Sequence, residues 1–154
     1  MVVRESFEVT APPDIVWRFF EEVERVARCV PGVKRVDVLA PGRYTVVAAQ
    51  KVGFISATFE LTTELAAVEP GAFMEFTSVG KSIAGAIGNL RSRDRVEFAP
   101  TEGGGTRVTL TSDVAVGGML GALGHKAIAA KSREITEKFA AALRAELSAG
   151  PGAR

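Results

Sequence analysis

The sequence predicts an α+β fold in which an antiparallel sheet of about seven strands is covered by one long C-terminal helix. Three observations predict it. Alternating apolar and polar segments follow one another through most of the chain, with proline or glycine between them. One short helical segment interrupts them near the N-terminus. The last segment holds no proline before its tail and repeats apolar residues at helical spacing.

The first strand and the first helix are predicted from residues 2–29. Residues 2–10 alternate, with Val3, Phe7 and Val9 on one face and Glu5 as the one charge on that face. The Pro12-Pro13-Asp14 segment then stops the strand and opens a helical segment that ends near Cys29.

Six further strands are predicted between the prolines and glycines that follow. Alternation within each segment and turn residues at regular intervals are typical of consecutive hairpins. The predicted strands are Val33–Leu39, Arg43–Val52, Phe54–Val68, Ala72–Val79, Ala86–Ala99 and Thr106–Val116.

The last hairpin allows a prediction of register. Pairing Glu97 with Arg107 also places Arg91 opposite Asp113 on the solvated face. The opposite, inward face then carries the apolar residues Val96, Phe98, Val108 and Leu110, followed by Ser92, Asp94 and Ser112. In this register Ser92 lies opposite Ser112.

A single helix is predicted from Met119 to about Leu147. It would be about 40 Å long, whereas a domain of this size has a radius of gyration of only about 15 Å. The helix must therefore cross the whole sheet. Gly121 and Gly124 should make its start the loosest part.

Residues 1–148 are predicted to form one domain, and residues 149–154 a disordered tail.

Composition excludes several classes of function. A net charge of +1 argues against nucleic-acid binding, and no apolar run reaches the length of a membrane span. One cysteine and one histidine exclude an intramolecular disulfide, multi-cysteine metal sites and any site that needs two histidines. We therefore expect neither a metal nor a cofactor. The N-terminus lacks the features of a signal peptide, so a cytoplasmic location is expected.

Four segments resemble a known family. They are CVPGV (29–33), KVGFISATFELTTEL (51–65), GKSIAGAIGNLRSRDRVEF (80–98) and GGTRVTLTSDVAVGGMLGALG (104–124). Together with the order of elements, they resemble the START-like and Bet v 1-like (SRPBCC) superfamily and, within it, the family of the carbon monoxide dehydrogenase G subunit. The resemblance implies the helix-grip fold, in which a curved antiparallel sheet wraps around the last helix.

The resemblance also implies a function. It implies a non-catalytic accessory protein that holds a hydrophobic small molecule or lipid-like ligand, such as a quinone, between sheet and helix. The implied partners are a molybdenum hydroxylase and a transient membrane surface, and a homodimer is left open. Relatives often carry an apolar extension for membrane attachment. This chain ends in a short polar tail, so at most a peripheral membrane location is expected.

Inward positions of the sheet and the apolar face of the long helix are the candidate ligand-binding residues. Concave, mostly apolar pockets are where small molecules bind. A filled core that leaves only an outer docking surface is the alternative. The predicted cavity residues are Phe59, Leu61, Met74, Phe76, Leu90, Asp94, Val96, Leu110, Val114, Leu120, Leu123, His125, Ile128 and Ile135.

Two of these residues carry chemistry. Asp94 is a carboxyl group on an apolar face, where it needs a partner, water or a proton. His125 lies early in the long helix, near the glycines. Either could serve as the acid or base of an enzyme like a polyketide cyclase or aromatase, which is the enzymatic alternative.

The cavity entrance is predicted near Gly117–Gly124, with a Gly80–Gly85 loop as a second lip.

Overall fold

A computed structural model describes residues 1–149, where seven strands and four helices form. The strands are β1 (Val2–Val9), β2 (Val33–Ala40), β3 (Arg43–Val52), β4 (Ile55–Glu69), β5 (Phe73–Gly85), β6 (Gly88–Pro100) and β7 (Thr106–Gly117). The helices are α1 (Pro13–Glu21), α2 (Val23–Arg28), α3 (Gly118–Gly121) and α4 (His125–Ala149). No helix in this part of the chain has both the length and the apolar composition needed to cross a membrane.

All seven strands form one antiparallel sheet in the order β1-β7-β6-β5-β4-β3-β2. Strands β2 to β7 pair as consecutive hairpins, and β1 joins the far edge by pairing with β7. The sheet curves, and register shifts in β4 at Thr58/Phe59 and Leu65/Ala67 contribute because bulges bend a strand. The predicted α+β helix-grip fold is thereby confirmed.

The predicted Gly80–Gly85 loop is wrong, because β5 continues through these residues. Gly80 pairs with Leu61, and the two strands approach so closely that a Cβ at Gly80 would lie 2.2 Å from the Glu60 carbonyl oxygen. Glycine at this position therefore permits strand pairing rather than a turn. Gly85, with a φ of +78°, ends the strand.

The predicted register of the last hairpin is wrong by two residues. Glu97 pairs with Thr109, and Arg107 pairs with Ala99. The reason is a longer turn, in which the Thr101 and Gly105 backbones hydrogen-bond to each other and Gly105 N–H also donates to Thr101 Oγ1. Because the period of a strand is two, the shift leaves every side chain on its predicted face.

Both helical predictions join elements that the structure separates. The first helical segment breaks at Glu22, whose φ and ψ of −87° and 71° are not helical. The C-terminal helix is not continuous from Met119, because α3 and α4 are separate. Gly124, with a φ of +86°, precedes α4, which leaves α4 about 37 Å long for its 25 residues.

The predicted disordered tail overlaps α4 by one residue. Ala149 is the last residue of α4. Residues 150–154 lie outside the described residues.

The interior divides into two halves along the strands. The closed half contains α1, the C-terminal part of α4 and a buried aromatic cluster of Trp17, Phe20, Phe98 and Phe139. The hollow half contains the β3–β4 and β5–β6 hairpins, α3 and a smaller cluster of Ala57, Phe59 and Leu120.

Candidate ligand cavity

A cavity of about 480 Å³ lies between the concave face of the sheet, α2 and α4. Small-molecule sites commonly have volumes of roughly 300–1,000 Å³. Its walls are mostly apolar side chains from β3 to β7 and from one face of α4. The interior is therefore hollow here, and the filled core considered from the sequence does not form.

Twelve of the fourteen predicted residues line this cavity. Their convergence follows from alternation along the strands, which sends every second side chain to the concave face. The twelve are Phe59, Leu61, Phe76, Leu90, Asp94, Val96, Leu110, Val114, Leu120, Leu123, Ile128 and Ile135. Their contact with a ligand stays a prediction.

Two predicted residues lie elsewhere. Met74 is buried in the closed half, where it belongs to the same apolar cluster as Val96 and Phe98. His125 is the first residue of α4 and is exposed. The cavity therefore does not bring His125 together with Asp94.

One wall of the cavity was not predicted from the sequence. Four residues of β3 and four from the α2 segment line it, and these are Val46, Ala48, Gln50 and Val52, with Val23, Val26, Ala27 and Val30. The alternation within β3 was a usable signal for the first group. Nothing in the sequence indicates that α2 faces the concave side of the sheet and lines the cavity.

Polar side chains cross the concave face as one band. The polar band consists of Thr63, Ser78, Ser92, Asp94 and Ser112, from four neighbouring strands, and all five line the cavity. Thr63 and Ser78 pair across β4 and β5, with 2.8 Å between their hydroxyl oxygens. Ser78 lies opposite Ser92, and Asp94 lies opposite Ser112. The correct register thus makes Ser112 a partner of Asp94 rather than of Ser92.

Asp94 is the centre of the polar band. Ser92 Oγ donates a hydrogen bond to Asp94 Oδ2 at 2.9 Å, and Ser112 also hydrogen-bonds to this carboxyl group. Burial raises the pKa of Asp94 above its ordinary value, and the two hydroxyl groups only partly offset that effect. The apolar surroundings therefore make the charged carboxylate less favourable here than in an exposed aspartate.

Three other charged residues line the cavity, and these are Glu5, Arg95 and Lys131. The Arg95 side chain points to the opposite face of the sheet, because it alternates with the inward-facing Asp94 and Val96. Glu5 Oε2 is buried without a hydrogen-bond partner, and its Oε1 lies 3.9 Å from Arg133 Nε. Lys131 Nζ is bound by Glu134 at 2.7 Å.

Both cations of the wall are already paired, because Glu75 binds Arg95 at 3.0 Å. Within residues 1–149, no three His, Cys, Asp or Glu side chains come close enough to hold a metal ion together.

Comparison with known families agrees with this architecture. The sequence profile of the CoxG family, described as the G subunit of carbon monoxide dehydrogenase, matches residues 6–148. The chain belongs to the CoxG family. The resemblance found in the sequence is therefore confirmed. No curated protein sequence matches this CoxG family member.

Solved structures share its fold across nearly the whole chain. A conserved protein from Geobacillus kaustophilus has a TM-score of 0.86 at 16% identity, covering 96% of this chain and 95% of that one. A START superfamily protein from Mycobacterium smegmatis has a TM-score of 0.69 at 16% identity, covering 96% and 97%. The Zhui aromatase/cyclase from a Streptomyces species has a TM-score of 0.65 at 17% identity, covering 97% and 94%. At these identities the likeness shows the fold alone.

Proposed function

We propose that this CoxG family member binds a hydrophobic small molecule in its cavity without catalysing a reaction. The observation that carries the proposal is the mostly apolar cavity of about 480 Å³ between the sheet and α4. Burying an apolar ligand there would remove water-exposed surface from both ligand and wall, which is favourable at about 25 cal/mol per Å². Membership in the CoxG family supports the same function.

The ligand we propose is lipid-like, with a quinone as the leading candidate, and the partner is a molybdenum hydroxylase. The family description connects these proteins with carbon monoxide dehydrogenase, which supports an accessory role beside an enzyme of that kind. In this role the chain would hold a ligand that water dissolves poorly.

We also propose that the ligand is exchanged at the cytoplasmic surface of a membrane. The hairpin tips of the hollow half expose Phe54 and Ile87, with fractional exposures of 104% and 76%, and Met119 is exposed next to them. Exposed lysines Lys51 and Lys81 belong to the same two hairpins. Apolar tips with basic neighbours favour contact with an anionic bilayer. The proposed entrance beside α3, near Gly117–Gly124, lies at this end of the molecule.

Titration with a neutral fluorescent probe, N-phenylnaphthylamine, tests the binding function. Val114 projects into the cavity, whereas its neighbour Ala115 lies on the exposed face. Val114→Phe should weaken probe binding at least about tenfold, the equivalent of 1.4 kcal/mol, because the ring occupies the ligand's space. Ala115→Phe adds the same ring outside and should leave binding unchanged. A wild-type protein that does not bind the probe would refute the proposal.

A further inference from the structure

The polar band lies at a fixed depth between two apolar rows. Towards the hairpin tips, the next row of the concave face is Leu61, Leu90 and Val116, which belong to the cluster of the hollow half. Towards the closed half, the next row is Val96 and Leu110, with Glu5 of β1 at the end of the row. Consecutive rows on one face are about 7 Å apart. An apolar ligand that fills the cavity must therefore place some group against the polar band.

The closed half limits where an apolar tail can lie. Beyond Val96 and Leu110, the rings of Phe20, Phe98 and Phe139 pack edge to face, with Phe20 and Phe98 centroids 4.9 Å apart. Phe98 is 8% exposed, so little space remains in that direction. In the other direction, Leu61, Leu90 and Leu123 line the cavity and pack against the small cluster of the hollow half, yet they stay only half-buried.

The charges of the wall select against an anionic head group. Asp94 and Glu5 are carboxyl groups at or next to the polar band, whereas the Arg95 side chain binds Glu75 on the opposite face of the sheet and Lys131 is already bound by Glu134. A carboxylate or phosphate head would meet two acidic groups and no free cation of the wall, and burying such a charge unpaired is costly. An uncharged hydroxyl head can instead donate to the Ser92 or Ser112 oxygen, and an uncharged oxygen can accept from the Thr63–Ser78 pair, which uses only one of its two hydroxyl hydrogens internally.

We propose that the ligand carries an uncharged, oxygen-bearing head that hydrogen-bonds to the polar band, while its apolar tail points towards the β3–β4 and β5–β6 hairpins. This inference rests on the proposed binding function and adds the chemistry of the head and the direction of the tail. The acceptors are the oxygens of Ser92, Asp94 and Ser112, the donor is a hydroxyl group of the Thr63–Ser78 pair, and the tail contacts Leu61, Leu90 and Leu120.

Displacement of N-phenylnaphthylamine by dodecanol, chlorododecane and dodecanoate tests the head group. Dodecanol should bind about tenfold more tightly than either of the others, as expected for one or two net hydrogen bonds. In a Ser92→Ala, Ser112→Ala double variant, the preference of dodecanol over chlorododecane should fall about tenfold. Thr77→Ala with Thr111→Ala, on the opposite face of the same sheet, is the matched control and should keep the preference.

Three outcomes would separate the two proposals. If the probe binds but the Ser92 and Ser112 substitutions leave the preference unchanged, the head does not lie at the polar band and this inference is wrong. If the probe binds and dodecanoate is the tightest ligand, the inference is wrong as well. If the wild-type protein does not bind the probe at all, the proposed function fails, and the inference fails with it.

The direction of the tail is measured by isotope-filtered NOE spectroscopy on the dodecanol complex. The terminal methyl group should show contacts to the methyl groups of Leu61, Leu90 and Leu120. Contacts to Val96 and Leu110 instead would place the tail towards the closed half and overturn the proposed direction.

Discussion

The closed and hollow halves use the same strands and the same alternation, yet only one of them is filled. In the closed half, Trp17 and Phe20 of α1 pack edge to face on Phe98, and Leu143 of α4 is completely buried beside them. Phe20 and Phe139 also line the cavity at its boundary with the closed half, and the helix side chains beyond them are smaller, such as Leu120, Ile128 and Ile135. In the hollow half the wall residues Leu61 and Leu90 stay only half-buried.

The difference shows how one fold can separate stability from binding. Four aromatic rings fill the volume under the sheet at one end and anchor α4 there. The same helix then spans the other end with smaller side chains, such as Ile128, Ser132 and Ile135, which line the cavity. Because packing is dense in one half only, we expect stability to depend on the closed half and ligand affinity on the hollow half.

The largest expected effect is a loss of stability in the closed half. Phe98→Ala should lower the free energy of unfolding by about 3–5 kcal/mol, because it removes a buried ring that contacts Trp17 and Phe20. Leu90→Ala, in the cavity wall, should cost only about 1–2 kcal/mol. Urea unfolding measures both values. Equal losses would contradict the division into a filled and a hollow half.

A smaller effect is expected at the membrane-facing tips. Phe54→Ser combined with Ile87→Ser should weaken sedimentation with phosphatidylglycerol-containing vesicles about tenfold or more, because two exposed apolar side chains no longer enter the bilayer. Leu39→Ser is the matched control, since Leu39 is 54% exposed at the opposite end of the sheet. If Leu39→Ser weakens vesicle binding as strongly, the hairpin tips with Phe54 and Ile87 are not the specific membrane-binding surface.

The smallest expected effect is a pH dependence at Asp94. Because burial raises the pKa of Asp94 in the folded state, the folded protein binds more protons than the unfolded one above the ordinary aspartate pKa of about 3.9. Wild-type stability is therefore lost as the pH rises from there through the raised pKa. Asp94→Asn removes this loss, so its stability relative to wild type should increase over that range. Urea unfolding at several pH values would contradict this if the relative stability of Asp94→Asn decreased.

Alternation and turn residues predicted most of the sheet. Every strand, from Val2 to Thr106, begins within a residue or two of its predicted start, because period-two patterning and glycine or proline turns are local signals. The register between β6 and β7 could not be predicted from local patterns, because it depends on the conformation of the Thr101–Gly105 turn. The structural role of an individual glycine could not be predicted from the sequence either. Gly80 permits close strand pairing, whereas Gly124 separates two helices.

The cavity residues were predicted from the strands, but the hollow itself was not. Alternation places Leu90, Val96 and Leu110 on the concave face whether or not a helix fills the space above them. Only the positions of α2 and α4 decide that, and they result from packing between distant parts of the chain. The polar band was predicted in part, at Ser92, Asp94 and Ser112, whereas its extension to Thr63 and Ser78 required the pairing of β4, β5 and β6.

Amide chemical-shift mapping during titration with N-phenylnaphthylamine tests most directly whether the ligand binds in the hollow half while the closed half stabilises the fold. Saturating probe should shift amides that surround the cavity, such as those of Leu90, Ser92 and Leu120, and leave the α1 amides around Trp17 nearly unchanged. The cavity shifts should be absent in Val114→Phe. Shifts concentrated in the closed half, or the same shifts in Val114→Phe as in the wild type, would contradict a ligand held in the hollow half.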